Sequence, residues 1–485
     1  MKDLTFNMKR RGFRPQLRTE PLSLYCEVVR TAIDSSDVSK LDSKKLLGAL
    51  RARDFSSLLA NSDIPSPQLY GSAAQYFADC QINSLIRKYP FTSNEVPGID
   101  PEGTAVRTFS LSEHRCKWVN RKYRARQRRW NPYAQAHAYA RDYIQSVLGD
   151  KPNLDAIYRG CSFTGGASLG IHGNATNPAR KVLALDWTCT PTALFHAVRA
   201  LWASPAYRHC ILPGAMKCYD PQEFGDIVRD RVQIVDHNKI SFVPKTAKTH
   251  RSIAVEPLLN GFVQKGTDLE MRRLLRKVGI DLSDQSHNQR LAKRGSEGGF
   301  NPYCTIDLSA ASDSLSYEVV KSFLPAEWFE YLCDIRAPRF LLAGADHTER
   351  YEKFCSMGNG FCFPLQTLLF ASMCYAVARV SGLKKSEAYD FSVYGDDIII
   401  RQDGALLLIE ILRDLGFRTN VDKTFVTGPF RESCGADWYE GQDVRPVMCD
   451  KPLASVQQVV SLHNSFLRSR VTELASGDVR DVLIS

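Results

Sequence analysis

Three aspartates of this chain stand where apolar strands are expected to end. Asp307 closes the apolar segment YCTIDL (303–308), and Asp396 and Asp397 lie side by side at the tip of an apolar hairpin, FSVYGDDIIIR (391–401). A carboxylate at the end of a buried strand is costly unless something compensates its charge. A divalent cation does so, and hard oxygen ligands suit Mg²⁺, which also binds substrate phosphates. The pattern predicts phosphoryl transfer by two metal ions, roughly 3.5–4 Å apart.

Each aspartate could instead be an ordinary turn residue without a catalytic role, because Gly-Asp is a common turn dipeptide. Asp313 favours the catalytic interpretation. It follows Asp307 with Asp-x5-Asp spacing, which places the second carboxylate at the start of the next helix and on the same rim. There it could accept a hydrogen bond from a ribose hydroxyl.

The elements that position these residues can be predicted from their apolar patterns. Residues 303–307 form a short buried strand, and 312–324 have helical periodicity with Ser312 or Asp313 as the N-cap. Residues 391–394 and 398–401 pair around the turn at Gly395 and Asp396. Residues 405–415 form an apolar helix that ends at Gly416.

Basic residues suggest where a polyanion would bind. Lys245, Lys248 and Arg251 recur every third residue within 241–257, where an extended ribbon could converge on a polyphosphate. The run RKYRARQRRW (121–130) interleaves basic and aromatic residues, as a surface that tracks single-stranded nucleic acid does. A solvated helix face explains that run equally well. The glycine-rich segment 160–174 lacks a P-loop ending and is a weak nucleotide signature.

The whole chain is compatible with this chemistry. Its 485 residues exceed the size of a single core, its apolar fraction of 44% is ordinary, and its net charge of +10 favours polyanions. The fourteen cysteines form no zinc spacing and are expected to be reduced thiols of a cytosolic protein. Residues 1–18 lack the apolar region of a signal peptide. The uncharged stretch 361–378 predicts a core helix rather than a membrane span, because polar residues and Pro364 interrupt it.

Six segments occur in the order of the polymerase motifs. They are VPKTAKTHRSIAVEP (243–257, motif F), TIDLSAASDSLS (305–316, A), SMGNGFCFPLQT (356–367, B), VYGDDIII (393–400, C), LGFRTNVDKT (415–424, D) and FRESCGADWY (430–439, E). Together with DQSHNQRLAKRGS (284–296), their wording resembles the replicase β subunit of the single-stranded RNA bacteriophages, the leviviruses. The resemblance is firm over residues 240–450 and looser upstream.

The resemblance implies an α+β, right-handed palm–fingers–thumb polymerase whose palm is an antiparallel sheet with helices on one face. Residues 1–300 would be mainly fingers, with N-terminal elements packing on palm and thumb. Residues 301–440 would form the palm with motifs A to E, and 441–485 a short or reduced thumb. The activity it implies is RNA-directed RNA synthesis from NTPs, copying and transcribing a viral positive-strand genome.

The family's functional residues map onto this chain by motif. Asp307 and Asp396 would be metal ligands with Asp397 assisting, and Lys423 would be the general acid that protonates pyrophosphate. Spacing alone leaves Lys423 at least as well explained as a surface lysine after a helix. The remaining residues would bind the nucleotide through its triphosphate, through its ribose or through the flexible motif B loop: Lys245, Lys248, Arg251, Asp313, Ser356, Gly358, Asn359 and Gly360. Three motif E residues would lie in a hairpin that grips the primer strand: Arg431, Glu432 and Cys434.

The resemblance also implies cofactors and partners. Two Mg²⁺ ions, replaceable by Mn²⁺, would serve catalysis, and the partners would be template and product RNA, NTPs, host elongation factors Tu and Ts and ribosomal protein S1. The location would be the cytoplasm of an infected bacterium, without a membrane. Two departures stand out. His250 occupies a position where the family more often has an acidic residue, and the stretch after motif E is short, as in a reduced thumb or a truncated chain.

Two other functions remain open. A reverse transcriptase shares the palm and the Asp-Asp hairpin, but it usually has a bulkier residue before the pair and an aromatic residue at the sugar-reading position. Gly395 and Asp313 favour RNA synthesis instead. A non-catalytic RNA-binding or packaging protein would explain the net charge and the 121–130 run. It would not need aspartates at apolar strand ends, where they would repel a polyanion.

Overall fold

The structure, a computed structural model, describes residues 19–126, 131–212, 220–382, 390–469 and 476–484. Helices dominate the first 300 residues. They are α1 (Pro21–Asp34), α2 (Ser43–Arg51), α3 (Phe55–Ala60), α4 (Ala73–Lys88), α5 (Pro101–Arg126), α6 (Ala134–Leu148), α7 (Leu154–Gly160), α8 (Pro178–Val182), α9 (Pro191–Ala203), α10 (Pro205–Ile211), α11 (Pro221–Arg229), α12 (Leu258–Lys277) and α13 (Ser286–Ser296).

The later helices alternate with short strands. The helices are α14 (Tyr317–Phe323), α15 (Ala326–Ile335), α16 (Cys362–Val380), α17 (Gln402–Asp414), α18 (Val456–Arg468) and α19 (Ser476–Ile484). The strands of the whole chain are β1 (Trp187–Cys189), β2 (Val232–Ile234), β3 (His237–Thr246), β4 (Thr249–Val255), β5 (Tyr303–Ile306), β6 (Leu308–Ser309), β7 (Arg339–Leu342), β8 (Thr348–Arg350), β9 (Phe391–Tyr394), β10 (Asp397–Arg401), β11 (Arg418–Thr419), β12 (Phe430–Ser433), β13 (Ala436–Tyr439) and β14 (Gln442–Asp443).

A three-stranded antiparallel sheet lies at the centre, with strand order β5–β10–β9. Successive side chains of a strand face opposite sides. Ile398 and Ile400 of β10 therefore join the main core with α16 and α17, whereas Ile399 packs with Tyr303 and Leu291 of α13 on the other side. The α+β class and the antiparallel central sheet are confirmed. Helices α16 and α17 cover one face as expected, and α13 additionally covers part of the other.

The basic segment 241–257 forms the predicted ribbon. Strands β3 and β4 pair antiparallel with an irregularity between Pro244 and Thr246, and β7 extends the sheet on the other side of β3. Ala247 at the tip is buried in a second apolar cluster. The tip of the ribbon is thus anchored in a separate core.

That second cluster joins the two ends of the described chain. It gathers buried side chains of residues 24–96 with those of residues 447–483 around Ala247. Helix α1 packs on α19, and α18 packs on α19 as well. Residues from both ends of the described chain therefore share one apolar cluster.

Helix α16 is the one described helix that is long and apolar enough to cross a membrane by length and composition. Of its most apolar window, 78% is buried inside the protein. Leu368 and Phe370 are fully enclosed by the main core. The expectation of a core helix is confirmed.

One predicted boundary is wrong. The helix expected over 312–324 begins at Tyr317, after a 3-10 turn at Ser312–Ser314. Neither Ser312 nor Asp313 caps it, because Asp313 is engaged by a lysine from elsewhere in the chain and is held in the 3-10 turn. The predicted hairpin at 391–401 and the helix that ends before Gly416 are confirmed. All thirteen cysteines in the described part of the chain are free thiols.

Candidate active site

The central sheet brings the predicted acidic residues of two motifs to one edge. Asp307 directly follows β5, which pairs with β10 through Ile306 and Ile398. Asp396 lies in the turn before β10, so its carboxylate and that of Asp307 come from adjacent ends of paired strands. Burial raises the pKa of Asp307, and the negative charge of Asp396 raises it further. Two like charges therefore crowd one edge of the sheet.

The loop after β11 holds Asp307 in place. Asn420 Nδ2 donates a hydrogen bond to Asp307 Oδ2 at 2.9 Å, and the Asn420 backbone N–H donates to the Asp307 carbonyl at 2.9 Å. Thr424 Oγ1 contacts the same backbone, 3.3 Å from both its nitrogen and its oxygen. Motif D thus orients the motif A carboxylate.

The turn that carries Asp396 needs glycine at Gly395, which has a φ of +66° and lies against the Phe363 ring, where a Cβ would clash. The Gly395 N–H donates to Thr367 Oγ1 of α16 at 3.0 Å. Among the described residues, no hydrogen bond or ion pair engages the Asp396 carboxylate. It is half-buried and available to an external ligand.

Asp397 has a different environment. Its Oδ1 accepts a hydrogen bond from Ser433 Oγ at 3.4 Å, and its carboxylate also interacts with the Cys434 backbone. Burial raises the pKa of Asp397 to about 6, the bond from Cys434 opposes the rise, and the charge of Asp396 adds to it. The Asp397 carboxylate is therefore bonded to the β12–β13 hairpin.

A metal ion has partial support in this arrangement. Over the described ranges, no three His, Cys, Asp or Glu side chains come close enough to form a metal site. The chemistry of the donors still suits a divalent cation. Asp307 and Asp396 are hard oxygen donors, their mutual repulsion would be relieved by a cation, and Asp396 is free of protein partners among the described residues.

The β3–β4 ribbon faces this acidic edge with Lys245. Partial burial lowers the pKa of Lys245, the charges of Arg251 and Lys423 lower it further, and Asp307 and Asp396 oppose the change. Lys245 therefore lies within the electric field of both aspartates and both cations. Such a group of cations opposite carboxylates is suited to bind a polyphosphate.

Lys248 lies farther along the ribbon. It is exposed beyond the buried Ala247, and its backbone N–H donates to Thr246 Oγ1 at 3.3 Å. Arg251 is exposed on β4, opposite Val243. His250, the departure from the family pattern, lies between Thr249 and Arg251 on β4. It pairs with Pro244 of β3 across the ribbon.

Lys423 is paired rather than solvated alone. Its Nζ lies 3.1 Å and 3.2 Å from the two carboxylate oxygens of Glu432. Burial lowers the pKa of Lys423, but the charge and hydrogen bond of Glu432 outweigh that effect and raise it. Arg445 is 3.9 Å from Glu432 and 3.1 Å from Asp437. Glu432 therefore contacts cations of the site.

Sequence reasoning missed Lys88 at the end of α4. Burial lowers its pKa, and the positive charges of Lys423, Arg445 and Lys245 lower it further. Its neighbour Tyr89 is buried in the same cluster as the ribbon tip. No local pattern marks Lys88, because the cations it approaches are distant in sequence.

The sugar-reading candidate Asp313 is buried beside β4. Lys353 Nζ lies 2.7 Å from Asp313 Oδ1, and Ser252 Oγ donates to Asp313 Oδ2 at 3.2 Å. Lys353 was not predicted, since nothing in its flanking residues forms a recognisable motif. Asp313 lies in the 3-10 turn that follows the β5–β6 segment.

The motif B loop is packed tightly against its neighbours. Ser356 Oγ donates to the Tyr351 hydroxyl at 3.3 Å, and Asn359 Oδ1 accepts from the Phe361 N–H at 3.1 Å. Gly358 has a φ of +106° and lies against the Ala254 carbonyl, where a Cβ would clash. Ser356 and Asn359 are both buried.

Two motif E residues lie in the predicted hairpin with buried side chains. Arg431 is fully buried, with Nε donating to the Tyr303 carbonyl at 2.7 Å and Nη1 donating to the Gly428 and Phe430 carbonyls at 2.9 and 2.7 Å. Arg431 therefore lies in the predicted hairpin and bonds the β12 region from inside. Cys434 is buried at the hairpin turn with a φ of +50°.

The basic run 121–130 is partly committed to internal ion pairs. Lys122 Nζ lies 2.8 Å from Asp414, and Arg124 Nε lies 2.8 Å from Glu318. Residues 127–130 lie outside the described ranges. These ion pairs show that the first half of the run lies on a helix face that packs against neighbouring elements.

Comparison with known proteins gives consistent matches. The family described as RNA replicase, β-chain, matches residues 33–477. The RNA-directed RNA polymerase subunit beta of Escherichia virus Qbeta is 38% identical over 375 residues, covering 76% of this chain and 59% of that protein. The beta chain of Escherichia phage MS2 is 38% identical over 327 residues, covering 66% and 55%. The beta chain of Enterobacteria phage GA is 36% identical over 416 residues, covering 84% and 71%.

These relatives are longer than this chain, which spans about six tenths of the length of the first two proteins named. Among solved structures, the BmCPV RNA-dependent RNA polymerase at its elongation state aligns over 96% of this chain and 44% of its own. Its TM-score is 0.41 at 11% identity, too distant to define the fold of this chain.

Proposed function

This chain belongs to the RNA replicase β-chain family, and we propose that it is an RNA-directed RNA polymerase that copies and transcribes a viral positive-strand RNA genome. The observation that carries the proposal is the acidic edge of the central sheet. There Asp307 and Asp396 stand at adjacent strand ends, within the electric field of Lys245. An RNA-binding protein without catalysis has no need for repelling carboxylates at that place.

The reaction is attack of the RNA 3′-hydroxyl on the α-phosphate of an NTP. The O3′–P bond forms, the bond from the α-phosphorus to the bridging oxygen breaks, and pyrophosphate leaves. Asp307 and Asp396, with Asp397 assisting, would hold two Mg²⁺ ions, or Mn²⁺ in their place, which supply Lewis-acid stabilisation of the attacking and leaving oxygens. Asn420 keeps Asp307 in orientation through its 2.9 Å hydrogen bond.

The basic side chains would bind the triphosphate, neutralise its charge and protonate the leaving group. Lys245, Lys248 and Arg251 of the ribbon would neutralise the incoming NTP, and Lys88 adds a further charge from α4. Lys423 would donate a proton to the leaving pyrophosphate. Glu432 would hold its ammonium group for that transfer. Its pairing with Glu432 supports the protonated form before the substrate arrives.

The sugar is read on the neighbouring side. Asp313 would accept a hydrogen bond from the ribose 2′-hydroxyl, and Asn359 would assist. Ser356 and Gly358 belong to the motif B loop that lets template and nucleotide approach the backbone. The contact of Gly358 with the Ala254 carbonyl of β4 supports a coupling of this loop to the basic ribbon.

The division into subdomains follows the same assignment. Residues 1–300 would be mainly fingers, 301–440 the palm and 441–485 a short thumb. The apolar cluster that joins residues 24–96 to 447–483 supports the N-terminal elements as a brace between fingers and thumb.

The partners follow from the activity and the family. Template and product RNA and NTPs bind at the site. Elongation factors Tu and Ts and ribosomal protein S1 of the host would complete the replicase. The reaction would take place in the cytoplasm of an infected bacterium.

Primer extension on an RNA template with Mg²⁺ tests the proposal, with NTPs and dNTPs offered separately. A polymerase of this class elongates with NTPs and strongly disfavours dNTPs. Efficient dNTP use would identify a reverse transcriptase instead. A chain that fails to elongate alone is assayed again with bacterial extract, because host factors are proposed. Intact RNA binding without elongation in extract would leave the packaging function.

A further inference from the structure

Lys353 is a charged side chain that the reaction as described above does not use. It is fully buried and among the largest side chains in the interior. An ammonium group withdrawn from water is strongly destabilising unless partners compensate its charge. It lies only three positions before Ser356 of the motif B loop, so its partners bear directly on the site.

Two carboxylates and a ring surround the ammonium. Nζ lies 2.7 Å from Asp313 Oδ1 and 3.5 Å from Glu113 Oε1 of α5. It also lies 3.8 Å from the centroid of the Phe109 ring, within the range of a cation–π interaction. Burial lowers the pKa of Lys353, but Asp313 and then Glu113 outweigh it and raise the pKa. The lysine remains an ammonium ion.

Asp313 is consequently held at both oxygens. Lys353 engages Oδ1, and Ser252 Oγ donates to Oδ2 at 3.2 Å. Each carboxylate oxygen has two acceptor positions, so acceptor capacity remains for one more donor. Ser252 follows Arg251 on β4, which connects the sugar-reading carboxylate to the strand of the triphosphate ribbon.

The backbone on either side of Lys353 is hydrogen-bonded to motif A and to α5. Residues 352–354 pair with 315–317, through Tyr317 N–H to the Glu352 carbonyl at 3.1 Å and Phe354 N–H to the Leu315 carbonyl at 2.6 Å. The Glu352 N–H donates to Glu113 Oε2 at 2.7 Å. Lys353 therefore lies on a hydrogen-bonded segment between the Asp313 turn and the motif B loop.

We propose that Lys353 is the positioning residue for sugar selection: its ammonium holds the Asp313 carboxylate in place, aimed as an acceptor for the 2′-hydroxyl of an incoming ribonucleotide. Ser252 fixes the second oxygen of the same carboxylate. The inference rests on the proposed polymerase function and assigns a new residue to it. Lys353 acts through Asp313 and does not itself touch the substrate.

The test is the ratio of kcat/KM for an NTP to that for the matching 2′-deoxy-NTP, measured for the full chain and for Lys353→Met. A purely structural lysine would lower both values together and leave the ratio unchanged. If Lys353 positions Asp313, the Lys353→Met substitution lowers the ratio about tenfold or more. The misaligned Asp313 then no longer accepts a hydrogen bond from the 2′-hydroxyl and no longer favours the NTP. Elongation by the wild type, measured in the same assay, separates failure of the polymerase function from failure of this inference.

Glu113→Gln is the matched control. It removes the other carboxylate from the same ammonium and leaves the contact between Lys353 and Asp313, so the ratio should stay near that of the wild type. If Lys353→Met does not fold, the double variant Glu113→Gln/Lys353→Met removes the ammonium together with one of the charges it compensates. If that variant also fails to fold, Glu113→Gln/Lys353→Gln, which removes the ammonium but keeps a polar side chain at this position, decides. An unchanged ratio in the decisive variant overturns the proposal.

Discussion

Asp397 differs from its neighbours at the acidic edge in what its carboxylate contacts. Asp307 is oriented by Asn420, and Asp396 has no hydrogen-bond partner among the described residues, whereas Asp397 bonds to Ser433. Its raised pKa follows mainly from burial. At the residue scale, burial therefore makes the ionised form of Asp397 costly in the absence of a cation, and the hydrogen bonds from the β12–β13 hairpin offset only part of that cost.

This environment predicts a pH-dependent stability. Because the pKa of Asp397 rises from 3.8 to about 6 on folding, the folded state binds the proton more tightly than the unfolded state. The stabilisation is complete below pH 3.8 and is lost as pH rises through about 6, by up to about 3 kcal/mol. In EDTA, Asp397→Asn should gain Tm relative to the wild type between pH 4.5 and 7.5. Parallel Tm profiles of the two proteins would contradict this.

The acidic residues could be predicted because their polarity conflicts with the apolar strands around them. Asp307 and Asp396 violate a local pattern, and a violated pattern is visible in sequence. Lys353 and Lys88 were not predictable, since each is defined by partners from distant segments. The burial of Arg431 was not predictable for a related reason. A motif suggests a role, but burial decides whether the side chain can reach a ligand.

Helix α4 and the β3–β4 ribbon form one functional unit at the scale of elements. Both contribute buried residues to the second apolar cluster, Leu85 and Tyr89 from the helix segment and Ala247 from the ribbon tip. The packing places Lys88 within the field of Lys245 and Lys423. The ribbon was predictable from its alternation of apolar and basic residues. The packing of α4 beside the ribbon was not predictable, because packing between distant elements leaves no periodic signal.

Lys88→Ala should weaken nucleotide binding more than chemistry. Removing one of the cations around the triphosphate is expected to raise KM for NTPs about three- to tenfold, with a smaller change in kcat. Steady-state incorporation measures both constants. Lys321→Ala on the exposed face of α14 is the control and should match the wild type. Equal KM values for Lys88→Ala and wild type would show that Lys88 does not take part in nucleotide binding.

The whole molecule is held together at its ends by the second apolar cluster. Residues 24–96 contribute Leu46, Leu58 and Ile82, all fully buried, and residues 447–483 contribute Leu453 and Phe466. Long-range closure of this kind resists prediction from a single sequence, since hydrophobicity identifies core residues without naming their partners. The α+β class was predictable, because the order and wording of the six motifs resemble a family whose fold implies it.

Truncation within this cluster should loosen both ends of the chain together. Leu46→Ala removes a fully buried side chain and should lower the free energy of unfolding by about 2–5 kcal/mol. Hydrogen exchange should then accelerate in α18 as well as in α2. Leu406→Ala, at a position 68% exposed, serves as the comparison and should change little. Faster exchange confined to α2 would show that the two ends are not one cooperative unit.

The central claim is that Asp307 and Asp396 act as one unit in nucleotidyl transfer. The most direct measurement is single-turnover NTP incorporation by Asp307→Asn, Asp396→Asn and the double variant, with Asp346→Asn, at a position 98% exposed, as the control. The account predicts losses of several orders of magnitude in each single variant and little further loss in the double variant, because residues that serve one cation site are not additive. Near-normal incorporation by either single variant, with the fold intact, would contradict the claim.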